Sequence, residues 1–225
     1  MASKQLDKTR KNFLWEGNSK SHKFHSVNWP TVWLPKKLDG LGIRDLALHN
    51  KCLLMNWLWR YTQEEHSLWK DVIIAKHGAL NHWCSNVSTA PYGVGVWRSI
   101  RKLWEVFSQH THLIAGDGQH ISFWREKWIG NSSLMVAYPN VFQIAREPNS
   151  TIQQYREGNS WTFILRKNIE DWEIEELVSL LAALHNVAIN SEIPDQLNWG
   201  EKRGGKFSVK AALKHLGPRN AITDH

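Results

Sequence analysis

The residues of this chain best equipped for chemistry are aromatic and basic side chains that recur next to one another. Fourteen tryptophans and 28 Lys+Arg in 225 residues produce Trp57-Leu58-Trp59-Arg60-Tyr61, Trp97-Arg98 and Phe123-Trp124-Arg125-Glu126-Lys127-Trp128. An aromatic face beside a cation can stack a nucleic-acid base while the cation holds a phosphate. The same adjacency arises without any ligand, because neighbours on a helix lie about 100° apart and a core tryptophan is often followed by a solvated cation. Helical periodicity favours this second origin for most pairs. Trp57, Trp69, Trp97 and Trp104 are therefore expected to be core anchors, and Trp59 and Trp124 are base-stacking candidates if exposed.

Other chemistry has weaker support. Twelve histidines and two cysteines raise metal binding, with His82, Cys84, His110, His112 and His120 the densest group. No C-x-x-C or H-x-x-x-H spacing organises them, so no metal and no cofactor are assigned. The acidic run Glu170, Asp171, Glu173, Glu175 and Glu176 could serve two-metal or acid–base chemistry, but at the start of a helix it complements the dipole instead. Asp117, between two glycines, reads as a turn residue. There is no P-loop and no Gly-x-Ser-x-Gly, and Gly93-Val94-Gly95 lacks the rest of a dinucleotide fingerprint. No catalytic residue is assigned, and the chain is not expected to be an enzyme.

The elements that must position these groups follow from periodicity and punctuation. Trp29-Pro30, Leu34-Pro35 and Asp39-Gly40-Leu41-Gly42 mark residues 1–43 as a basic, irregular connector. Leu46, Leu53, Leu54, Trp57, Leu58 and Tyr61 predict a helix over 44–61, Leu68 to Ile73 a second over 67–77, and Val96 to Phe107 a third over 94–109. The other face of the third shows Arg98, Arg101 and Lys102. Leu113-Ile114-Ala115 and Ile121 to Trp124 flank Gly116-Asp117-Gly118 as a hairpin, so 44–130 reads as a helical module with a hairpin. Residues 131–160 read as linker-like loops with short helical turns. Over 161–225, Asn168 caps an acidic helix buried through Ile174, Leu177, Val178, Leu181 and Leu184. A second hairpin around Gly204-Gly205 and a short helix to Gly217-Pro218 follow. The expected fold is α+β, mainly helical, with short helices and two small antiparallel hairpins.

Charge sharpens the choice of partner. Residues 1–60 carry 11 Lys+Arg and 4 Asp+Glu, 131–200 carry 4 and 9, and 201–225 carry 6 and 2. A polyanion is expected at the two ends and not over the acidic third quarter. Two cysteines are too few for a disulfide framework, and neither a signal peptide nor a run of about 18 apolar residues appears. An intracellular, non-secreted chain that does not span a membrane is expected, with nucleus or cytoplasm left open.

One ordered series of phrases is more specific than any of these features. Phe13-Leu14-Trp15-Glu16-Gly17, His25-Ser26-Val27-Asn28-Trp29, Leu34-Pro35-Lys36-Lys37 and Gly40-Leu41-Gly42-Ile43-Arg44-Asp45-Leu46 run into the Trp57 phrase. Tyr92 to Ile100, Gly116-Asp117-Gly118 and Ile121-Ser122-Phe123-Trp124 continue it. The series resembles the segment after the polymerase core in plant LINE-type non-LTR retrotransposon reverse transcriptases, a segment also found in plant genes described as ribonuclease H proteins. Lys206-Phe207-Ser208-Val209-Lys210 resembles the opening of that family's zinc-binding region, whose Cys and His ligands would lie beyond. The family's polymerase Asp-Asp pair is absent, and Trp33 stands where the family often has cysteine.

The resemblance implies a thumb-and-connector module gripping a template–primer duplex through its backbone. It would assign Lys23, Lys36, Lys37, Arg44 and Arg60 to phosphate contact, and Arg98, Arg101 and Lys102 on the third helix join them as candidates. The partner expected is RNA or an RNA/DNA duplex, bound without sequence specificity by a non-catalytic fragment. The alternatives are a helical protein-interaction module or a decayed fragment without activity, and, third, a metal-dependent nuclease.

Overall fold

The computed structural model describes residues 2–16, 27–87, 95–158, 160–200 and 204–217. In chain order the helices are α1 (Ala2–Glu16), α2 (Trp29–Trp33), α3 (Leu46–Gln63), α4 (Leu68–His77), α5 (Trp97–Arg101), α6 (Trp104–Ser108), α7 (Leu134–Ala137), α8 (Pro139–Ile144), α9 (Asp171–His185) and α10 (Val209–Leu216). The strands are β1 (Thr111–Ile114), β2 (Arg156–Glu157), β3 (Ser160–Trp161) and β4 (Gln196–Trp199), with 3₁₀ turns at Lys36–Leu38 and Gln153–Tyr155. Among the described residues the strands form two antiparallel two-stranded sheets, β1 with β4 and β2 with β3. The fold is thus mainly helical α+β. No helix among the described residues is long and apolar enough to cross a membrane.

The chain divides into two compact units, one of Met1–Arg60, Gly95–Leu103 and Phe207–His225, the other of Tyr61–Val94 and Trp104–Lys206. In the first unit, residues 2–16 form α1 where an irregular connector was expected; the breakers all lie further on. The helix is fastened by Arg10, which pairs with Asp7 at 3.0 Å and donates to the Arg44 carbonyl at 3.0 Å, and by Trp15 set edge-on to Trp29. Pro30 sits in the first turn of α2, where its missing N–H costs nothing. Asp45 then caps α3 by accepting from Ala47 and Leu48 N–H. The buried positions of α3 in this unit are Cys52, Met55 and Leu58, whereas Leu53 and Trp57 are exposed. Its apolar residues run around most of the helix, so periodicity alone could not fix which stripe faces inward. At the C-terminal end, Ser208 Oγ accepts from Ala211 N–H and starts α10.

The second unit rests on aromatic packing. Phe123 and Trp124 are fully buried; Phe123 stacks on Tyr155 with centroids 4.3 Å apart, and Trp124 Nε1 donates to the Tyr155 hydroxyl at 2.8 Å. Tyr155 in turn donates to the Glu147 carbonyl at 2.6 Å. The helix expected over 94–109 is interrupted at Lys102 and Leu103, where the Leu103 N–H bonds the Ile100 carbonyl in 3₁₀ fashion. The acidic run beginning at Glu170 is structural: the Glu173 carboxylate accepts the Glu170 N–H at 2.9 Å and pairs with Lys167 at 3.0 Å. Glu176 accepts from Asn140 Nδ2 and the Val141 N–H at the start of α8. Glu170, not Asn168, is the N-cap. The inward face of α9 is Glu173, Leu180 and Leu184, leaving Ile174, Val178 and Leu181 exposed.

The first expected hairpin does not form as drawn; the second runs through residues 201–203, which lie outside the described residues, although the Trp199 N–H reaches the Gly205 carbonyl at 2.8 Å. β1 pairs not with 121–124 but with β4, in the register Thr111↔Trp199 to Ile114↔Gln196, and the tight hairpin is β2–β3, turning at Gly158 with φ 61°. The cause lies one residue before β4. The buried carboxylate of Asp195 accepts the N–H groups of Gly116 (2.8 Å), Gly118 (3.0 Å) and His120 (2.9 Å), drawing the Gly-Asp-Gly turn toward β4. A Cβ at Gly116 would collide with the Ile193 and Pro194 carbonyls, and one at Gly118, whose φ is +74°, with Ile152.

A second carboxylate ties the neighbouring loops. Glu126 accepts from Asn81 Nδ2 at 2.7 Å and from the Ser122 N–H at 2.7 Å. Burial pushes its pKa up to about 7, against the lowering effect of those two hydrogen bonds and with Asp195 adding to the rise. Burial and the adjacent His120 push His82 the other way, down to about 4.

Two stability outcomes are expected. Asp195→Ala leaves three buried or half-buried N–H groups without their acceptor and lowers unfolding free energy by about 3 kcal/mol or more in urea titrations. An unchanged midpoint would contradict the role given to Asp195. For Glu126 the folded pKa lies above the ordinary carboxyl value of 4.5, so between those values the native state holds more protons than the unfolded chain and stability falls as pH rises. Glu126→Gln removes that dependence. The stability of wild type relative to Glu126→Gln therefore declines from pH 4.5 to 7 by on the order of 2 kcal/mol; His82 titrates alike in both proteins and cancels.

Candidate nucleic-acid interface

The basic residues are gathered by the fold more strongly than their order in the chain implies. The unit made of Met1–Arg60, Gly95–Leu103 and Phe207–His225 holds 17 Lys+Arg against 5 Asp+Glu, a net +12, and the other holds 11 against 16, a net −5. Arg98, Arg101 and Lys102, which the sequence separates from the basic first quarter by some forty residues, belong to the same unit as that quarter. Among the candidates Lys36, Lys37, Arg44, Arg60, Arg98, Arg101 and Lys102, all lie in it; Lys23 falls outside the described residues.

Their local settings differ. Lys36 and Lys37 are exposed on the 3₁₀ turn after Pro35, which the Leu38 N–H closes onto the Pro35 carbonyl at 2.8 Å. Long cations on a short, fixed turn suit backbone phosphates, which need charge at a defined spacing and no base reading. Arg60 lies over an aromatic ring on its own helix. Its guanidinium lies 4.7 Å from the centroid of Trp57, which is 39% exposed, because residues three apart on a helix share a face. Trp59 stacks on Phe207 with centroids 6.2 Å apart and planes 26° from parallel. On α5, Arg98 and Arg101 are half-buried and Lys102 is exposed.

Arg44 stands on the rim of a groove of about 840 Å³, whose walls include Trp33, Leu34, Pro35, Leu48 and, from α10, Leu213 and Lys214. A neighbouring hollow of about 390 Å³ shares Arg44 and Leu48 and adds His49 and Lys210. Lys210 and Lys214 were not among the residues singled out in the sequence. The signal was available: Ser208 caps a helix, and four-residue spacing puts the two lysines on one face. The groove joins apolar walls with the cations Arg44 and Lys214, and the hollow beside it adds Lys210, a combination that takes a base and its phosphate together.

Trp124 offers no face to a base, being fully buried with its indole N–H bound to Tyr155. Trp57, expected in the core, is on the surface, while Trp97 is buried as expected. The aromatic–basic phrases therefore divide: the one at 123–128 is core of the acidic unit, and the one at 57–61 keeps an exposed aromatic with a cation over it.

No family model matches the chain, and no solved structure matches it. Among curated proteins, an Arabidopsis thaliana protein named "putative ribonuclease H protein" is 28% identical over 216 residues, covering 94% of this chain and 34% of that protein. The chain thus spans about a third of the length of that relative. A second Arabidopsis thaliana protein, named "uncharacterized mitochondrial protein", is 31% identical over 130 residues, covering 56% of this chain and 82% of that protein. With that identity sustained over most of the smaller relative, the chain belongs to the same family as this mitochondrial protein of Arabidopsis thaliana.

Proposed function

We propose that the chain is a non-catalytic module derived from a plant LINE-type reverse transcriptase, and that its basic unit binds RNA or an RNA/DNA duplex without sequence specificity. The observation that carries this reading is the segregation of charge, +12 in one unit against −5 in the other. A polyanion is attracted to the first and repelled by the second, so the binding surface is defined by charge before any contact forms. Lys36 and Lys37 would hold phosphates, and Arg44, Lys210 and Lys214 would hold them along the groove whose wall includes Trp33 and in the hollow beside it. The exposed Trp57, with Arg60 above it, would offer one stacking face. These residues offer charge to phosphates and one ring face to a base, which supports binding without sequence preference. The similarity to a protein named for ribonuclease H supports a nucleic-acid context. Glu170, Glu173 and Glu176 at the start of α9 are committed to capping and to α8, which supports the non-catalytic part of the reading.

A second reading has one observation behind it. Ile174, Val178 and Leu181 form an exposed apolar stripe along α9, which suits a protein-interaction module.

Binding of a labelled single strand or RNA/DNA hybrid should weaken on the order of 10³-fold between about 50 and 200 mM salt if about six or more phosphates are neutralised. Lys36→Ala with Lys37→Ala should reduce the slope of log affinity against log salt by about 1 to 2. Lys127→Ala, an exposed change in the acidic unit, should leave it unaltered. Binding that ignores salt, or none at low ionic strength, goes against the proposal. On the second reading, Val178→Glu abolishes self-association measured by sedimentation while helical content stays the same. Monomers in both proteins would count against it.

A further inference from the structure

Sequence spacing assigns no metal, yet the acidic unit brings two histidines and a glutamate from three separate segments into one place. One donor atom from each of Glu65, His82 and His120 lies within 4.8 Å of the other two. The imidazoles of His82 and His120 face each other with centroids 3.9 Å apart and planes 19° from parallel. Among the described residues neither ring makes a side-chain hydrogen bond; His82 otherwise meets the edge of Trp83. Two imidazoles stacked face to face and half-exposed keep ring nitrogens available to a ligand.

The loops that present these rings are more firmly held than packing requires. His82 sits at the tip of a turn closed by the Ala79↔Ser85 bridge and by Leu80 and Asn81 N–H groups on the Cys84 carbonyl. Asn81 beside it is fixed by Glu126. The backbone of His120 is fixed by Asp195, together with Gly116 and Gly118. Buried carboxylates therefore orient both histidine loops, as supporting groups do around ligand side chains. Glu65, in the connection between α3 and α4, is exposed and free to swing.

Charge around the cluster favours a cation. Glu65 and Asp195 act electrostatically on His82, and Glu64, Glu65 and Asp71 on the neighbouring ammonium of Lys70. Four carboxylates against one ammonium leave the region negative.

We propose that Glu65, His82 and His120 form a binding site for a single zinc-type divalent ion, with a fourth position open to water. Two imidazoles and one carboxylate are a ligand set that suits tetrahedral zinc and leaves one coordination position vacant. Bonds of about 2.0 to 2.2 Å place ligand atoms about 3.3 Å apart in a tetrahedron, so binding draws the three donors closer and breaks the ring stack. The movement falls on side-chain torsions of Glu65 and one imidazole, with the backbones already set by Glu126 and Asp195. This site is in the acidic unit and is independent of the nucleic-acid surface proposed above.

Titration of the full chain with zinc chloride, followed by calorimetry, should show uptake of one ion per chain, and cobalt(II) should give the visible absorption of a four-coordinate site. Glu65→Gln, at an exposed position, should weaken uptake at least tenfold, and His82→Ala with His120→Ala should abolish the stoichiometric step. If the double variant loses its circular dichroism spectrum, Glu65→Gln decides. Absence of uptake by the wild type overturns the proposal. So does wild-type affinity in Glu65→Gln, because Glu65 would then contribute no ligand.

Discussion

A single carboxylate organises the acidic unit. Asp195 is buried and accepts three N–H groups from a turn lying some 75 to 79 residues earlier in the chain. A buried carboxylate is stable only when such donors surround it, and the donors of a glycine-rich turn are stable only when an acceptor reaches them. The two needs satisfy each other here. Because Asp195 directly precedes β4, that exchange also sets the β1–β4 register. The close approach of the Ile193 and Pro194 carbonyls to Gly116 leaves no room for a side chain there. Strand pairing of only four residues could not secure this geometry alone.

Aromatic rings pack in both units, and in both some of them lie under cations. Phe123, Trp124 and Tyr155 bury their rings in the acidic unit and join indole, hydroxyl and backbone carbonyl in one chain of hydrogen bonds. At its edge Arg156 lies 5.6 Å from the centroid of Trp161, which packs on Phe123. In the basic unit, cations lie over aromatic rings: Arg60 over Trp57, and Arg10 and Lys11 5.7 and 5.6 Å from the centroid of Trp29. There a ring steadies positive charge that has few carboxylates to pair with.

The positions of α3, α4, α9 and α10 were legible in the sequence, and α1, several helix faces and the strand partners were not. The starts of α3, α4 and α10 are written in local signals, such as Ser208 ahead of an apolar run, which depend on a few neighbouring residues. The buried stripe of α9 was misread because Ile174, Val178 and Leu181 have the right period but face solvent, while Glu173 turns inward through its bonds to Glu170 and Lys167. Periodicity reports that a face exists, not which neighbour covers it. The hairpin across Gly116-Asp117-Gly118 was misread for a similar reason: the glycines do make a turn, but what receives its N–H groups is Asp195. For the basic surface, each cation was visible in the sequence. What was hidden was the assignment of Gly95–Leu103 to the same unit as the first sixty residues.

The histidine pair shows why spacing rules for metal sites miss some arrangements. Short intervals such as C-x-x-C work because one turn supplies two ligands, so the sequence itself sets the distance between them. His82 and His120 are separated by 37 residues, and their 3.9 Å approach depends on two loops held by two different carboxylates. Loss of either carboxylate would let one ring drift by more than the tolerance of a coordination shell without altering the histidines themselves. Such a site is therefore encoded in Asp195 and Glu126 as much as in its ligands. The sequence shows His82 and His120 within its densest group of histidines, but nothing in their spacing joins these two and Glu65.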